Sequence, residues 1–372
     1  MNLLSEVSTG AQLYLQPASF CAPQLTDPNK TVQIAGLPVW ASACRIIARG
    51  YDGRVLDHQV DVPELMRLME GEPGLALKPQ FARLTRPAGV WQMGGKALRL
   101  SEPRLMAVLN VTPDSFSDGG DMVDAATAIE AGERFAAAGA DIIDIGGEST
   151  RPGATTVWEG EELDRVIPVV SALAGSAAAV SIDTRKAAVM ETALESGANI
   201  INDVSALRFD EAALPMLAKR DCPIILMHAQ GDPQTMQNAP RYDDAVLDVY
   251  DALEARIEAC EAAGIKRSRL AIDPGIGFGK LVQHNLSLIN NLGLFHSLGC
   301  PVVLGVSRKR FIGALADVEE AKERFPGSLA AALKGMMQGV HIVRVHDISQ
   351  TRQALDIWRA LTDEMQMPPA IS

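Results

Sequence analysis

The stretch VDAATAIEAGERFAAAGADIIDIG, residues 123–146, decides the fold class of this chain. Apolar side chains recur at helical spacing from Val123 to Phe135, and Gly139 stands where a helix would end. An isoleucine-rich run of strand length follows at once, over residues 142–145. The stretch therefore predicts one amphipathic helix followed by one buried strand.

The same unit recurs from about residue 100 to about residue 360. Segments rich in Ala, Glu and Leu alternate there with short apolar runs at residues 105–109, 142–145, 180–182, 200–201, 224–227, 270–272, 302–304 and 342–345. Gly197 and Gly264 close helical segments as Gly139 does. Such alternation is typical of parallel strands joined by crossover helices, and eight units in roughly 260 residues predict an α/β fold of the (β/α)₈ TIM barrel type.

The alternative is a doubly wound open sheet that binds a nucleotide. The one glycine-rich candidate is DPGIGFGK, residues 273–280. Lys280 stands where a dinucleotide fingerprint needs its third glycine, and Leu281 replaces the Ser or Thr of a phosphate loop. Neither nucleotide fingerprint is present, which favours the barrel.

The first hundred residues show a weaker pattern. Residues 38–50 predict a strand, and a short helix is expected to begin with Pro63. GVWQMGGKALRL, residues 89–100, predicts a β-hairpin that plugs the bottom of the barrel. The predicted domains are therefore an N-terminal extension of unknown role at 1–100, a barrel at 101–363 and a C-terminal tail at 364–372.

Composition excludes several classes of protein. The 372 residues are 47% hydrophobic and 22% charged, which is typical of globular proteins, and no apolar run is long enough to cross a membrane. The net charge of -12 argues against a nucleic-acid partner. Five cysteines without a C-x-x-C pair argue against a disulfide scaffold or zinc ribbon, and with the lack of a secretory signal they favour the cytoplasm.

Polar side chains follow nearly every predicted barrel strand. They include Asn110, Asp183, Asn202, His228, Asp273, Ser307, Lys309, Arg344 and His346. Taken singly, an Asp or Asn at a strand end is most often a helix N-cap, and a lone His is most often a satisfied core residue. In a (β/α)₈ barrel, however, these strand ends share one face, so the side chains are expected to converge on one pocket.

The residue types indicate what such a pocket would bind. Asp183 and Asp273, with the amide of Asn202, suit a flat heterocycle rich in N–H donors, which buried carboxylates bind in a bidentate way. Three cationic or potentially cationic groups supply local positive charge in an acidic protein, namely Lys309, Arg344 and His346. Asn110 offers a hard oxygen to Mg²⁺. A heterocycle carrying a diphosphate would satisfy both halves.

These motifs resemble those of the bacterial dihydropteroate synthase family. LNVTPDSFSDGG, DIGGESTRPGA, SIDT, INDVSAL, ILMHAQGDPQTMQ, DPGIGFGK, LGVSRKRFIG and HIVRVHD occur here in the order found in that family. The resemblance runs from about Pro103 to about Leu361. Residues 1–100 lie outside it and are longer than the usual leader of the family.

The resemblance implies a transferase of folate biosynthesis. Members of the family condense (7,8-dihydropterin-6-yl)methyl diphosphate with 4-aminobenzoate, with Mg²⁺ as cofactor, and release diphosphate and 7,8-dihydropteroate. The resemblance also implies a homodimer formed through the later helices and a target of sulfonamides. Nucleic acid and membrane are not expected among its partners.

The resemblance assigns roles to particular residues. Asn110 resembles the Mg²⁺ ligand, and Arg344 with His346 is similar to the diphosphate-binding pair. The pterin contacts would be Asp183, Asn202, Asp273 and Lys309. Catalysis would fall to Lys309, Arg344, His346, Asp183 and Asp273.

The second substrate pocket and two mobile loops complete the implied site. Ser307 would approach the aminobenzoate carboxylate, and Phe278 would form part of the pocket wall. The first loop would carry Asp114 and Phe116, and the second would bind substrate through Thr150 and Arg151. Two glycine-bearing loops closing over the site would exclude water.

Two other functions stay open. A pterin-binding methyltransferase domain would share the barrel and a similar pocket but would bind no diphosphate. The groups Ser307-Arg308-Lys309 and Arg344-Val345-His346 favour the synthase over it. The second alternative is a paralogue that binds pterin without catalysis, since a fold does not guarantee a function.

Overall fold

The computed structural model describes most of the chain. The described residues are 4, 7, 10–21, 27–112, 125–149, 156–231, 236 and 239–362. Over these ranges no helix is long and apolar enough to span a membrane. The predicted tail at 364–372 lies outside the described residues, and the division of the chain at residues 100 and 363 stays a prediction.

The N-terminal part of the chain forms a small antiparallel sheet with two helices. Its strands are β1 (Gln12–Cys21), β2 (Val32–Gln33), β3 (Trp40–Gly50) and β4 (Gly53–Asp61). They are followed by helix α1 (Val62–Leu68), a 3₁₀ helix at Gly74–Leu77 and helix α2 (Lys78–Thr85). Strand β3 is central and pairs with β1, β2 and β4. The strand predicted at 38–50 and the helix predicted from Pro63 are thus present, whereas β1, β4 and α2 were not predicted.

The two faces of β3 are buried against different partners because its side chains alternate. Ile46 and Ala48 belong to an apolar cluster with side chains of α1 and α2. Ile47, together with Tyr14 on β1, belongs instead to the large core of the barrel. The sheet is therefore packed between its own helices and the rest of the protein.

The hairpin predicted at residues 89–100 is confirmed. Its strands are β5 (Val90–Met93) and β6 (Lys96–Arg99), which pair in antiparallel fashion. Gly94 and Gly95 form the turn, each with a positive φ that side chains other than glycine rarely adopt.

Eight parallel strands form the barrel. They are β7 (Arg104–Asn110), β8 (Ile142–Gly146), β9 (Ala179–Asp183), β10 (Ile200–Asp203), β11 (Ile224–Met227), β12 (Leu270–Asp273), β13 (Val303–Gly305) and β14 (Ile342–Val345). Neighbours in the sheet follow the order β12-β11-β10-β9-β8-β7-β14-β13. A parallel bridge between Ile272 and Val302 joins the two ends of this order. The predicted (β/α)₈ barrel is confirmed.

Helices surround the barrel and connect its strands. They are α3 (Ala125–Ala137), α4 (Glu159–Leu173), α5 (Ala187–Glu195), α6 (Ala213–Leu217), α7 (Ala245–Ala262), α8 (Val282–Asn290), α9 (Arg310–Ala316), α10 (Phe325–Met336) and α11 (Ile348–Thr362). Three further 3₁₀ helices lie at Arg267–Arg269, Leu292–Leu298 and Ala321–Arg324. Gly139, Gly197 and Gly264 follow helices and have positive φ, as predicted.

Side-chain alternation divides the barrel interior into layers. The lowest layer is apolar and consists of Met106, Ile142, Ala179, Ile200, Ile225, Ala271, Val303 and Ile342. Trp91 and Met93 of the hairpin pack in the same cluster, and Trp91 Nε1 donates to the carbonyl of Ser268 at 3.2 Å. The hairpin thus lies against the N-terminal ends of the strands. The next inward-facing positions lie two residues further along each strand, and several of them carry polar side chains.

Candidate active site

Arg344 forms the centre of a charged cluster inside the barrel. Its Nε donates to Asp144 Oδ2 at 2.7 Å, and its Nη2 donates to Asp183 Oδ2 at 2.8 Å. Asn202 Nδ2 donates to the same Asp144 oxygen at 3.0 Å. These side chains come from β14, β8, β9 and β10, so the closure of the barrel is what brings them into contact.

Each carboxylate of this cluster keeps one oxygen without a partner among the residues that the structure describes. Asp144 Oδ1 and Asp183 Oδ1 are buried and accept no hydrogen bond from the described residues. Burial raises the pKa of Asp183 to about 7, with Asp144 adding to the effect and Arg344 opposing it. An unpartnered buried carboxylate oxygen is costly, so these two atoms are ready acceptors for the N–H groups of a ligand.

A second acid–base pair stands beside the first. Asp273 Oδ1 accepts the backbone N–H of Gly275 at 2.7 Å, and burial raises the pKa of Asp273 although the charge of Lys309 lowers it. Burial lowers the pKa of Lys309 to about 8. A Cβ at Gly305 would lie 3.7 Å from Asp273 Oδ2 and 3.9 Å from Lys309 Nζ. Both charged groups therefore lie within 4 Å of the position that a side chain at residue 305 would occupy.

Lys309 is held from the other side by the loop that follows β12. Its Nζ donates to the carbonyl of Ile276 and lies 4.4 Å from the centroid of the Phe278 ring. An ammonium over an aromatic face is stabilised by the ring quadrupole. Phe278 and the carbonyl of Ile276 therefore hold the Lys309 ammonium in place.

Asn110 ends β7 next to Asp183. A Cβ at Gly146 would lie 3.7 Å from Asn110 Oδ1 and 3.9 Å from Asp183 Oδ2. The amide oxygen and the carboxylate thus face each other across a glycine. This arrangement leaves room for a ligand or an ion between them.

Ser307 joins the loops that follow β13 and β14. Its Oγ lies 3.0 Å from His346 Nδ1 and accepts the backbone N–H of His346 at 3.3 Å. Next to it, Arg308 adopts a left-handed backbone conformation, and its Nε donates to Asp347 Oδ2 at 3.1 Å. Ser307 and His346 therefore form one hydrogen-bonded unit.

Lys280 and His228 form a buried pair, of which only His228 was predicted to lie at the pocket. Lys280 Nζ lies 2.9 Å from His228 Nδ1 and donates to the carbonyl of Phe278 at 3.0 Å. Burial lowers the pKa of His228 to about 2 and the pKa of Lys280 well below its usual value. The pair secures the loop after β12, and the Lys280 ammonium selects the imidazole tautomer that accepts at Nδ1.

A buried ion-pair network lies at the start of the loop after β8. Glu148 accepts hydrogen bonds from Arg185 and Lys186, each at 2.6 Å. Lys186 also donates to Glu162 on α4. Because all four side chains are buried, removing one of them would leave a buried charge without its partner. The network fixes the chain immediately before Thr150.

Comparison with known proteins agrees with the geometry of the site. Residues 106–346 match the family of pterin-binding enzymes. The chain is 47% identical over 267 residues to a dihydropteroate synthase of Escherichia coli K12, with 72% of this chain and 94% of that protein covered. The chain belongs to the dihydropteroate synthase family.

Relatives from other bacteria and solved structures of the family agree with this assignment. A dihydropteroate synthase of Neisseria meningitidis MC58 is 49% identical over 278 residues, with 73% of this chain and 97% of that protein covered. The structure of the Yersinia pestis synthase with a sulfonamide drug has a TM-score of 0.70 at 46% identity, covering 73% of this chain and 98% of that one. The Xanthomonas albilineans synthase with 7,8-dihydropteroate has a TM-score of 0.67 at 42% identity, with 75% and 100% covered.

The structure places the predicted residues of the dihydropteroate synthase site as follows. Asp183, Asn202 and Arg344 lie in one cluster, and Asp273 and Lys309 lie in the adjoining one. Asn110 lies near Asp183, Phe278 contacts Lys309, and Ser307 contacts His346. Outside the described residues lie Asp114, Phe116, Thr150 and Arg151.

Three polar residues of the site were not predicted from the sequence. Asp144 interrupts an isoleucine run two residues before the strand ends, and a charge at an inward position was the signal. Lys280 was weighed only as part of a nucleotide fingerprint. Glu148 stands in a quoted motif, but nothing in its local sequence shows that it is buried.

Proposed function

We propose that this chain condenses (7,8-dihydropterin-6-yl)methyl diphosphate with 4-aminobenzoate to give 7,8-dihydropteroate and diphosphate. The observation that carries the proposal is the joint burial of Asp183, Asn202 and Arg344 beside Asp273 and Lys309. One chamber thus offers acceptors for a flat N–H-rich ring and cations for an anion. Relatives of this chain were solved with 4-aminobenzoic acid and with 7,8-dihydropteroate.

The carboxylates would bind the pterin ring. Asp183 Oδ1 and Asp144 Oδ1 are buried acceptors without donors among the described residues, and a pterin edge presents adjacent N–H groups. The amide of Asn202 lies beside them and would orient the ring. Hydrogen bonds from the bound ring would offset the cost of burying both oxygens. The negative charge of the carboxylates would stabilise the positive charge that develops on the pterin methylene group.

The cations would stabilise the leaving group. The bond between the pterin methylene carbon and the diphosphate oxygen breaks, and the diphosphate departs with the electron pair. The nitrogen of the arylamine forms the new bond to that carbon and then loses a proton to solvent. Lys309, Arg344 and His346 are the side chains that we assign to the diphosphate.

Mg²⁺ is the cofactor that we propose, and Asn110 is its protein ligand. No three His, Cys, Asp or Glu side chains form a metal cluster within the described part of the chain. An amide oxygen facing a carboxylate across Gly146 suits an ion that keeps its waters and takes phosphate oxygens from a substrate. When bound, Mg²⁺ would neutralise charge on the diphosphate.

The second substrate would lie near Phe278 and Ser307. Phe278 would form the apolar wall for the aminobenzoate ring, and Ser307 would donate to its carboxylate. Four further contacts stay proposals because they lie outside the described residues, namely Asp114, Phe116, Thr150 and Arg151. The buried Glu148 network supports this role for the second loop, since it anchors the chain just before that loop.

One assay separates this function from its alternatives. Purified protein with both substrates and Mg²⁺ should form dihydropteroate, and Lys309→Ala should lower kcat/KM by about a hundredfold or more because the leaving group loses a cation. Lys219→Ala, at an exposed residue just after α6, is the control and should behave as the wild type. Pterin binding without product would indicate the non-catalytic paralogue, and methyl transfer from a methylated folate would indicate the methyltransferase.

We also propose a homodimer formed through the last helices. Large apolar side chains are exposed on α9 and α11, and one stands at the end of α10. They are Leu315, Met337, Ile357 and Leu361. Light scattering should give twice the mass of the chain, and a monomeric mass would contradict the proposal.

A cytoplasmic location fits the five free cysteines, Cys21, Cys44, Cys222, Cys260 and Cys300.

A further inference from the structure

Helix α7 carries a row of acidic side chains along one face. Asp244, Asp248, Asp251 and Glu254 follow one another at spacings of four, three and three residues. This spacing places them on the same side of a helix, where like charges repel. A helix with such a face needs cations from another element, and the N-terminal sheet supplies them.

The contacts at the start of α7 are ion pairs with the β3–β4 hairpin. Arg54 Nε lies 2.5 Å from Asp244 Oδ2, and Arg54 Nη2 donates to Asp244 Oδ1 at 3.2 Å. Arg49 Nη1 lies 2.7 Å from Asp248 Oδ1. The hairpin tip therefore reaches the end of α7 that is next to the site.

The contacts further along α7 come from β1 and α2. Tyr14 OH donates to both oxygens of Asp251 at 3.0 Å, and its ring packs edge-on against Tyr250 at 5.3 Å. Arg83 Nη2 lies 3.4 Å from Glu254 Oε1. The N-terminal part of the chain is thus docked along the first half of α7.

The side chain of Asp244 caps a helix and also forms an ion pair. It is the N-cap of α7, where its side chain accepts the backbone N–H groups of Val246 and Leu247 at 3.1 and 3.2 Å. The same carboxylate receives Arg54. The guanidinium therefore orients the residue that fixes where the helix begins.

The segment before Asp244 contacts the active-site loop directly. Tyr242 OH donates to the carbonyl of Gly279 at 2.8 Å. Gly279 follows Phe278 and precedes Lys280, which binds His228. A continuous path of contacts therefore leads from Arg54 through Asp244 and Tyr242 to the loop that holds Phe278 against Lys309.

The N-terminal sheet lies outside the part of the chain that the relatives with solved structures match. Three quarters of this chain covers 99% of the Xanthomonas albilineans synthase solved with 4-aminobenzoic acid. Few residues follow the family region, which ends at residue 346, so most of the unmatched quarter precedes it. Helix α7 lies within the family region, whereas Arg49, Arg54 and Arg83 precede it.

We propose that the N-terminal sheet braces the active site, and that Arg54 is a positioning residue that acts through Asp244 and Tyr242 on the Phe278 loop. Arg54 touches no reacting group. Its effect would fall on the pocket walled by Phe278, which the proposed function assigns to 4-aminobenzoate. The activity readout below therefore rests on the proposed function.

The test compares the two ends of the same interface in the full-length protein. Arg54→Ala should raise KM for 4-aminobenzoate by about three- to tenfold and leave kcat within about twofold, because the pocket wall moves while the cations stay. Hydrogen exchange of residues 239–244 should become faster. Arg83→Ala removes the ion pair with Glu254 at the other end of this interface and should leave both quantities unchanged.

A second variant approaches the pair from the other side. Asp244→Asn keeps a good N-cap but loses the charge, so it should reproduce the effect of Arg54→Ala, and the double variant should add nothing further. Wild-type KM in Arg54→Ala, or equal effects of Arg54→Ala and Arg83→Ala, would overturn the proposal. If the wild type forms no dihydropteroate, the proposed function fails, and the exchange measurement alone still decides whether the brace acts on this segment.

Discussion

At the scale of single residues, the site depends on one cation shared by two buried acids. Arg344 contacts Asp144 and Asp183 through different nitrogens, and Asn202 supports the first of them. Two acids against one cation leave a surplus of negative charge in a low-dielectric interior. Burial together with Asp144 therefore raises the pKa of Asp183 to about 7. The cluster is arranged to be completed by donors from a ligand rather than by the protein.

This pKa predicts proton release when a pterin binds. Donors from the ring stabilise the carboxylate, so near pH 6 the protonated Asp183 should lose its proton on binding 6-hydroxymethyl-7,8-dihydropterin, whereas near pH 8.5 little release is expected. Because the ring binds the carboxylate form of Asp183, pterin affinity should weaken as the pH falls below about 7. Calorimetry in buffers of different ionisation enthalpy measures the released protons.

Asp144→Asn provides the critical variant for that prediction. Removing the like charge lowers the pKa of Asp183, so proton release near pH 6 should decrease and affinity should depend less on acid pH. Asp221→Asn, at a fully exposed side chain, is the matched control and should release protons as the wild type does. Equal release by Asp144→Asn and the wild type would show that Asp183 is not the titrating group.

At the scale of elements, the two ends of the barrel are specialised. The lower ends of the strands bury small and branched apolar side chains against the hairpin β5–β6, and the upper ends carry the charges. This division follows from alternation along each strand, because every second residue faces the interior and the polar ones come last. The hairpin therefore contributes stability without touching the site.

Trp91→Ala should destabilise the protein while leaving its chemistry intact. Trp91 is buried against the lowest layer of the barrel, and its loss should cost about 3–5 kcal/mol of unfolding free energy. Val90→Ala, on the exposed face of the same strand, should stay within about 0.5 kcal/mol of the wild type. Urea denaturation compares the variants, and kcat at low temperature should be the same for both. Equal stability of the two variants would show that the hairpin is not a plug.

At the scale of the whole molecule, the N-terminal sheet and the barrel share one core. Tyr14 and Ile47 from the sheet are buried in the same cluster as Tyr250 and Phe295 of the barrel. The ion pairs along α7 add specificity of position, although partly exposed pairs contribute little stability each. The two parts should therefore unfold as one cooperative unit.

Thiol labelling tests that cooperativity. Burial raises the pKa of Cys44 in β3 and of Cys300 in the barrel, each to about 12, so neither should react while the protein is folded. In a urea series both should become reactive at the same midpoint, as read by mass spectrometry of peptides. Cys21, which is less buried, should react earlier and serves as the internal control. Reaction of Cys44 at a clearly lower urea concentration than Cys300 would contradict a shared core.

Much of the architecture could be predicted because it depends on neighbours along the chain. Helical spacing, isoleucine-rich runs and glycines after helices are local patterns, and they predicted the barrel and the hairpin β5–β6 correctly. Strand β4 escaped prediction because most of its residues are exposed and show no clear alternation of burial. The polar strand ends were also local, and barrel topology alone then placed Asp183, Asp273 and Arg344 at one mouth.

What the sequence by itself determined is the fold class, the family and the set of polar residues at the strand ends. Only the tertiary structure decided which of them touch, because Arg344 meets Asp144 and Asp183 across 200 and 161 residues of chain. The same holds for Arg54 and Asp244, which are 190 residues apart. No local pattern encodes such pairs, since an ion pair depends on distance in space, and that distance is set by the closure of the barrel and the docking of the sheet.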